Sequence, residues 1–201
     1  MKLVGYDAIG GEYEAAYGNN PSIVDAIEWI TENVPVGGKI LDVGSGTGTV
    51  AKLLSENGFK VLGIDNSNIM NKIARNKAPK ARFLELNIKK IYLNESEFNV
   101  ITAFFSLLHI EKSIFKRTIR KILGYLIKDG YFIISMVEGN IDKEDHFMGQ
   151  KLHFSSYRKK ELIEIVNDLN LDIIEIRENK FTPNIKNAET ENQIFIFSGK
   201  K

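Results

Sequence analysis

Cysteine is missing from all 201 residues of the sequence. Its absence excludes disulfide bonds and thiolate metal ligands, and it is in keeping with a cytoplasmic protein, which we expect here. The three histidines, at positions 109, 146 and 153, include no pair at the i, i+4 spacing of a helical zinc site. The sequence therefore predicts no metal centre.

Long apolar runs and an excess of charge of one sign are also missing. The longest apolar stretch, Val100 to Leu108, is interrupted by Thr102 and Ser106 and falls far short of the ~20 residues of a membrane span. The first residues lack the apolar segment of a secretion signal. Lysine and arginine number 27 against 26 acids, so no bulk field attracts nucleic acid or an anionic membrane. We therefore expect neither DNA nor a membrane as a partner.

Glycine, by contrast, is concentrated in one stretch, Ile40 to Gly48 (ILDVGSGTG), where it occupies positions 44, 46 and 48. A short apolar run that ends at glycine predicts a buried parallel strand that stops abruptly. The residues from Thr47 to about Asn57 then predict a helix, so the loop amides lie at a positive helix N-terminus. This arrangement is typical of a nucleotide-type binding site.

The spacing of these glycines indicates which nucleotide is bound. A dinucleotide site has the pattern Gly-x-Gly-x-x-Gly, whereas position 49 of this chain is threonine. Asp42, at the strand end, would repel a pyrophosphate and suits a cationic ligand. A second apolar run, Lys60 to Ile64, is followed by Asp65, whose carboxylate can accept hydrogen bonds from both ribose hydroxyls. Together these acids favour an adenosine ligand without phosphates.

Four motifs in this order resemble those of the class I S-adenosylmethionine-dependent methyltransferases of the small single-domain kind. They are ILDVGSGTG (40–48), GIDNS (63–67), FNVITAFFSLLHI (98–110) and LIKDGYFIISM (126–136). The resemblance extends from Tyr6 to Lys200 and implies one domain over residues 1–201. The implied fold is α/β, a Rossmann-like doubly wound sheet of seven strands in the order 3-2-1-4-5-7-6. That sheet is mostly parallel with an antiparallel last strand.

Periodicity and capping residues predict the surrounding elements. Asn20 caps a helix that begins at a proline and runs to about Asn33, and Ser67 can cap a second helix that runs to about Lys77. Trp29 lies off the apolar stripe of that helix, and we expect it to touch a neighbouring helix. The polar segment from Glu178 to Asn192 predicts a mobile loop between the last two strands.

The resemblance implies S-adenosylmethionine as the cofactor, with S-adenosylhomocysteine as its product. The glycine loop would hold the methionine part, Asp42 would tune that end, and Asp65 would hold the ribose. Asn87, where the family commonly has an aspartate, would accept from the adenine amino group beside Ile88; its residue type equally fits a turn asparagine. The full set of expected cofactor-binding residues is Tyr13, Asp42, Gly44, Ser45, Gly46, Gly48, Asp65, Asn66, Asn87, Ile88 and Phe104.

Two segments are expected to cover the site, by resemblance. Residues 1–36 would form an N-terminal lid and helix. The alternative interpretation of its tyrosine-rich part is a segment that covers one edge of the core. Residues 138–157 would form a substrate-covering insert that carries His153 and Tyr157 as substrate contacts.

The loop after the fourth strand supplies the other expected acceptor residues. Phe104 and Phe105 would wall the crevice, although alternation points adjacent side chains to opposite faces, so that one of them would pack in the core. His109 is the candidate catalytic residue, able as a neutral imidazole to orient or deprotonate an acceptor; the alternative is a structural, hydrogen-bonded histidine.

Absences restrict the methyl acceptor. The family's enzymes that methylate amino groups of nucleic-acid bases carry a proline-containing loop after the fourth strand, and here that loop, AFFSLLH, has none. Cytosine C5 methylation and arsenite methylation require cysteine. A small-molecule acceptor is therefore expected, methylated by in-line displacement that depends chiefly on alignment and exclusion of water.

Three alternatives remain open from the sequence. A non-catalytic S-adenosylmethionine-binding module is compatible with Asn87 and Asn99, where the family more often has acids. An RNA methyltransferase rests on the basic stretch Lys72 to Arg82, which equally fits a solvated helix face. A nicotinamide-dependent dehydrogenase is disfavoured by the glycine spacing.

Overall fold

The computed structural model describes residues 5–93 and 98–201, so the first four residues of the expected lid lie outside the described part. Within these ranges there are six α-helices: α1 Tyr6–Tyr17, α2 Pro21–Asn33, α3 Thr49–Glu56, α4 Asn68–Lys77, α5 Lys112–Leu123 and α6 Lys159–Asn167. There are nine strands: β1 Lys39–Val43, β2 Lys60–Asp65, β3 Arg82–Glu85, β4 Phe98–Phe104, β5 Leu126–Val137, β6 Asp142–Phe147, β7 Gln150–Ser155, β8 Leu171–Phe181 and β9 Glu191–Lys200. None of the described helices has the length and apolar character needed to cross a bilayer.

Seven strands form one sheet in the order β3-β2-β1-β4-β5-β9-β8. The first five pair in parallel, while β9 runs antiparallel to both β5 and β8. With β8 and β9 counted as strands six and seven, the fold class and strand order predicted from the sequence are confirmed. The order reverses beside β1, and such a switch point opens a crevice at the carboxyl ends of the strands.

Helices cover both faces of the sheet, and the alternation of side chains along β1 shows why. Leu41 belongs to the core that contains Ile119 of α5, whereas Ile40 belongs to the core that contains Leu54 of α3. All four side chains are fully buried, and each such burial is worth about 1.5–3 kcal/mol. The sheet is thus held from both sides, which fixes the strand ends that carry the site.

Two helix starts are set by capping side chains, as the sequence predicted. The Asn20 carboxamide accepts a hydrogen bond from Ser22 N at 3.1 Å at the start of α2. The Ser67 hydroxyl accepts one from Met70 N at 3.1 Å at the start of α4. Each cap satisfies an amide that has no partner within its own helix.

The expected contact of Trp29 with a neighbouring helix is wrong. Its ring lies 5.2 Å from the ring of Tyr131 in β5 and 4.9 Å from that of Phe197 in β9. The buried face of α2 is wider than the stripe read from the sequence and includes Trp29 itself. The indole therefore fastens α2 to the sheet.

Two segments differ from the expected loops. The polar segment from Glu178 to Asn192, predicted to be a loop, belongs to strands at both of its ends. Strand β8 continues to Phe181, and β9 begins at Glu191. The insert after β5 contains the antiparallel hairpin β6–β7. Its two-residue turn has positive φ at both Met148 and Gly149. This conformation usually has asparagine or glycine at the first position, so no turn motif marks the hairpin in the sequence.

Replacing Trp29 by alanine is expected to lower the free energy of unfolding by about 3–5 kcal/mol, because a large buried side chain leaves a cavity against β5 and β9. Urea unfolding monitored by circular dichroism measures this loss. Val24→Ala on the same helix is the control, since Val24 is 44% exposed and its change should stay within about 0.5 kcal/mol. Equal effects of the two substitutions would contradict the packing role of Trp29.

Candidate functional site

The loop between β1 and α3 requires glycine at two points of close approach. Gly44 has φ +70°, and a Cβ there would lie 2.2 Å from the Cβ of Ser106. Gly48 has φ +82°, and its Cβ would lie 2.8 Å from that of Ala74, so Gly48 serves the packing of the loop against α4. Gly46, at φ +51°, faces open space instead. The loop thus presents bare peptide to a cavity.

That first cavity has a volume of about 310 Å³ and lies at the carboxyl ends of β1, β2 and β4. It brings together most of the residues predicted from the sequence: Tyr13, Gly44, Gly46, Asp65, Asn66, Asn87, Ile88, Phe104, Phe105, His109 and His153. Asp42 and Ser45 border a smaller cavity of about 70 Å³, which shares Gly44 and Gly46 with the first cavity. The described residues include no group of three acids or histidines arranged to hold a metal ion.

Asp65 connects the end of β2 to the glycine loop. Its Oδ2 accepts a hydrogen bond from Gly46 N at 3.0 Å, and its Oδ1 accepts one from Ser67 N at 2.8 Å. Burial raises the pKa of this carboxyl, although the hydrogen bonds from Ser67 and Gly46 act in the opposite direction. Each oxygen keeps a lone pair for a further donor, as two ribose hydroxyls would require.

Asp42 is buried with only half of its carboxyl satisfied. Oδ1 accepts from Thr102 Oγ1 at 2.9 Å, whereas Oδ2 finds no partner within the described part of the chain. The Ser45 hydroxyl, also buried, is unsatisfied in the same way. Burial raises the pKa of Asp42 to about 7, opposed by the Thr102 hydrogen bond and reinforced by Asp65. A buried polar atom left without a partner is costly, and a cationic donor bound at this point would satisfy it.

Asn87 precedes a short 3₁₀ helix, residues 88–90. Its side-chain oxygen accepts from Lys89 N at 2.9 Å, which is the hydrogen bond of a turn asparagine. The second lone pair of that oxygen can accept a hydrogen bond from an adenine amino group, and the adjacent Ile88 side chain can pack against the ring. The contact with adenine stays a prediction.

Helix α1 lies across the site and is tied to the elements that form it. Asp7 accepts a hydrogen bond from Ser67 Oγ at 2.5 Å, beside the cap of α4. Glu14 contacts both the hydroxyl of Thr47 in the glycine loop and the ammonium of Lys77. These contacts hold the tyrosine-bearing face of α1 over the cavity, in the place where the sequence predicted a lid.

His109 makes hydrogen bonds with both of its ring nitrogens. Nδ1 lies 2.7 Å from the backbone oxygen of His153 and must donate, because a carbonyl only accepts. Nε2 is then the acceptor for the Tyr6 hydroxyl, 2.7 Å away. Burial lowers the pKa of His109 to about 4, although the bond to His153 raises it. The imidazole is therefore neutral. It lines the first cavity together with Tyr6, a residue that was not among the predicted site residues.

Phe104 and Phe105 do not point to opposite faces, contrary to the expected alternation. Both rings lie 5.5 Å from the ring of Phe195 in β9. Phe105 has φ +52°, and this left-handed conformation breaks the strand geometry and turns its side chain back toward the crevice. Both phenylalanines line the first cavity.

The two substrate contacts expected in the insert have different positions. His153, in β7, lines the first cavity, and its Nε2 lies 2.9 Å from Asp142 Oδ1. Tyr157 lies instead in the core, with its ring 4.7 Å from that of Phe115 in α5. The described cavities do not include it. The end of the insert nearest α6 packs inward because the Tyr157 ring completes the core beneath α5.

A second cavity of about 320 Å³ adjoins the first. The two share Tyr6, Tyr13 and Phe105 as lining residues. The hairpin β6–β7 contributes Phe147 and Phe154 to its far side. The two cavities therefore meet at one aromatic boundary.

Comparison with known proteins places the chain by sequence. A family model described as a methyltransferase domain matches residues 20–176. An uncharacterized protein of Methanocaldococcus jannaschii is 30% identical over 131 residues, which are 65% of this chain and 49% of that protein. The demethylmenaquinone methyltransferase of Chlorobaculum tepidum is 40% identical over 74 residues, 36% of this chain and 31% of that protein. The chain thus matches about half or less of the length of these relatives.

Solved structures share the fold. A S-adenosylmethionine-dependent methyltransferase of Methanosarcina mazei superposes with a TM-score of 0.74 at 18% identity, covering 86% of this chain and 96% of its own. The 1,6-didemethyltoxoflavin-N1-methyltransferase of Burkholderia thailandensis, solved with 1,6-didemethyltoxoflavin and S-adenosylhomocysteine, gives 0.72 at 17% identity, covering 100% and 92%. At these identities the likeness establishes a common architecture.

The raised pKa of Asp42 predicts a pH-dependent stability. As pH rises from the ordinary value of 3.8 to about 7, the unfolded chain releases this proton while the folded chain keeps it, so the folded state loses stability. Asp42→Asn retains the acceptor for Thr102 without this loss. Urea unfolding at about pH 5 and pH 8 should show the variant gaining stability relative to wild type at the higher pH. Exposed Glu28→Gln is the control, and a relative gain by wild type would contradict the assignment.

The hydrogen bonds of His109 predict its tautomer. Nitrogen-15 NMR spectra at about pH 6 should show a neutral ring with its proton on Nδ1, titrating only near pH 4. Tyr6→Phe should leave the proton on Nδ1, because the carbonyl of His153 still accepts it. A proton on Nε2, or a charged ring at about pH 6, is the result that rules this network out.

Proposed function

The chain belongs to the class I S-adenosylmethionine-dependent methyltransferases, and we propose that it transfers a methyl group from S-adenosylmethionine to a small-molecule acceptor. The observation that carries this proposal is the pair of adjoining cavities. The first is built from the glycine loop and Asp65, and the second meets it at Tyr6, Tyr13 and Phe105. One cavity for the donor and one for the acceptor is the minimum that group transfer between two small molecules requires.

The residues of the first site fit the cofactor chemically. The bare backbone of Gly46 admits the close approach of a ligand. The unsatisfied oxygen of Asp42 suits the cationic amino-acid end, and it lies beside the glycine loop that would hold that end. Asp65 offers acceptors to the ribose, and Asn87 with Ile88 lines the place for adenine. These assignments use no phosphate-binding group, in agreement with a nucleoside ligand.

When bound, S-adenosylmethionine would supply a methyl group carried on a positive sulfur. The carbon–sulfur bond would break with its electron pair going to sulfur, as the acceptor forms its new bond to the methyl carbon. The chain needs to align the acceptor and exclude water. We assign the exclusion of water to α1, which is tied down by Asp7 and Glu14, and to the hairpin β6–β7. In this proposal both segments act as covers of one domain.

Tyr6 and His109 are assigned to orientation of the acceptor. The Tyr6 hydroxyl donates to His109 Nε2 and therefore retains lone pairs for a donor on the acceptor. Because His109 is neutral, its Nε2 can form a stronger hydrogen bond with the Tyr6 hydroxyl as positive charge develops on the methyl acceptor. His109 is then a positioning residue acting through Tyr6, which modifies the direct catalytic role expected from the sequence.

The small size of the acceptor is supported by its surroundings. The second cavity measures about 320 Å³ and is bounded by α1 on one side and by the hairpin on the other. The methyltransferase from Burkholderia thailandensis was crystallised with a ring compound, 1,6-didemethyltoxoflavin, and its superposition covers 100% of this chain.

We place the activity in the cytoplasm on the basis of the cysteine-free sequence.

Asp65→Ala is expected to weaken the binding of S-adenosylhomocysteine at least about tenfold, because the acceptors for the ribose are lost. Isothermal titration calorimetry measures the change, and circular dichroism checks the fold. Glu85→Ala is the matched control, since Glu85 pairs with Asp65 across β2 and β3 but is exposed and outside the cavity. Wild-type affinity in Asp65→Ala, or preference of the wild type for NAD in a thermal-shift comparison, would reject the assigned cofactor site.

A further inference from the structure

The second cavity has an aromatic wall built from two separate parts of the chain, helix α1 and the hairpin β6–β7. Tyr13 and Tyr17 of α1 stack with centroids 5.0 Å apart, and Phe147 of the hairpin lies 5.9 Å from Tyr17. Phe154 lies 5.9 Å from Phe147 and continues the wall toward His109. Such a wall offers both apolar contact and the negative faces of aromatic rings.

Carboxylates are the charged groups that accompany these rings. Glu138, Asp145 and Glu191 line the cavity, and its described lining contains no lysine or arginine. Asp145 is exposed and forms an ion pair with Lys143 at 2.7 Å. Neither Glu138 nor Glu191 forms an ion pair with a cationic side chain of the described residues, although Glu138 Oε1 accepts a hydrogen bond from the backbone amide of Lys159 at 3.1 Å. Two acids therefore face the cavity without a positive charge from the protein to balance them.

Glu191 is held in place by a chain of buried amides. Asn20 Nδ2 donates to Gln193 Oε1 at 2.9 Å, and Gln193 Nε2 donates to Glu191 Oε2 at 3.0 Å. The Tyr17 hydroxyl donates to Glu191 Oε1 at 3.3 Å. Burial raises the pKa of Glu191, although these hydrogen bonds counteract it. An acid that is partly desolvated and fixed by neutral donors lacks only a cationic partner.

We propose that the second cavity binds the methyl acceptor as a compact arylalkylamine, with its ammonium group against Glu191 and Glu138 and its ring against Tyr17 and Phe147. This inference rests on the proposed methyltransferase function and names its substrate class. An anionic acceptor would bring a third negative charge to a site without a counter-ion. A neutral acceptor would leave both carboxylates unpaired when the cavity loses water.

The test compares molecules of the same shape and different charge. Calorimetric titrations are made into the protein saturated with S-adenosylhomocysteine, so that no turnover occurs. The probes are phenethylamine, phenethyl alcohol and hydrocinnamate, and a second series of tryptamine, tryptophol and indolepropionate. In each series the amine is expected to bind at least about tenfold more tightly than the alcohol, and the carboxylate more weakly than the alcohol.

Substitution of the acid identifies where the charge is read. Glu191→Gln should weaken amine binding about tenfold and leave the alcohol within about twofold, because the amide keeps the shape and loses the charge. Glu138→Gln is a second variant with the same expectation. Glu189→Gln, an exposed acid two positions away that lines neither cavity, should bind all probes as wild type does.

The outcomes separate this inference from the function on which it rests. S-adenosylhomocysteine is titrated first, and failure of the wild type to bind it refutes the proposed function itself. If it binds, and the amines show no advantage over alcohols and carboxylates in either series, the amine acceptor is refuted while the methyltransferase assignment stands. Amine preference that survives both glutamate substitutions also refutes the proposed anchor.

Discussion

The hydrogen bonds of the Asp65 carboxylate are the constraint from which the rest of the site follows. One oxygen fixes Gly46 in the glycine loop and the other fixes the amide of Ser67 at the cap of α4. Ser67 in turn donates to Asp7, which begins the docking of α1. The Asp65 carboxylate therefore positions both the glycine loop, which lines the first cavity, and helix α1, which covers it. The tyrosines that divide the two cavities are placed as a consequence of that attachment.

The electrostatic state of the site is unfavourable in the absence of a ligand. Asp42 is buried and Asp65 is partly buried, and loss of water raises the pKa of each of these carboxyls. Glu191 adds a third partly desolvated acid at the second cavity. A fold that holds acids in this way is less stable than it would be with neutral residues, and a positive ligand relieves the strain. This excess of negative charge is the physical basis on which we propose cationic ligands for the site.

Features that depend on residues close together in the sequence were predicted, whereas features that depend on residues far apart in the sequence were not. The strand order, the caps of α2 and α4 and the turn at the glycine loop were predicted because each depends on a local motif or on a resemblance of motifs. Trp29 was misassigned because a tryptophan beside an apolar stripe packs on whichever surface lies behind its helix. The hairpin escaped notice because Met148 occupies a turn position without the residue type that usually marks it.

The sequence by itself determined the first cavity, since residues such as Gly44, Gly46 and Asp65 stand at the ends of strands that must meet at one edge of a parallel sheet. Only the tertiary structure decided the second cavity and the groups that act in it. Tyr6 and His109 are separated by 103 residues, and Asn20 and Gln193 by 173. No periodicity joins positions so far apart. Their contact arises because the sheet and helix α1 bring distant parts of the chain together, and the chemistry of each pair then depends on burial that only packing creates.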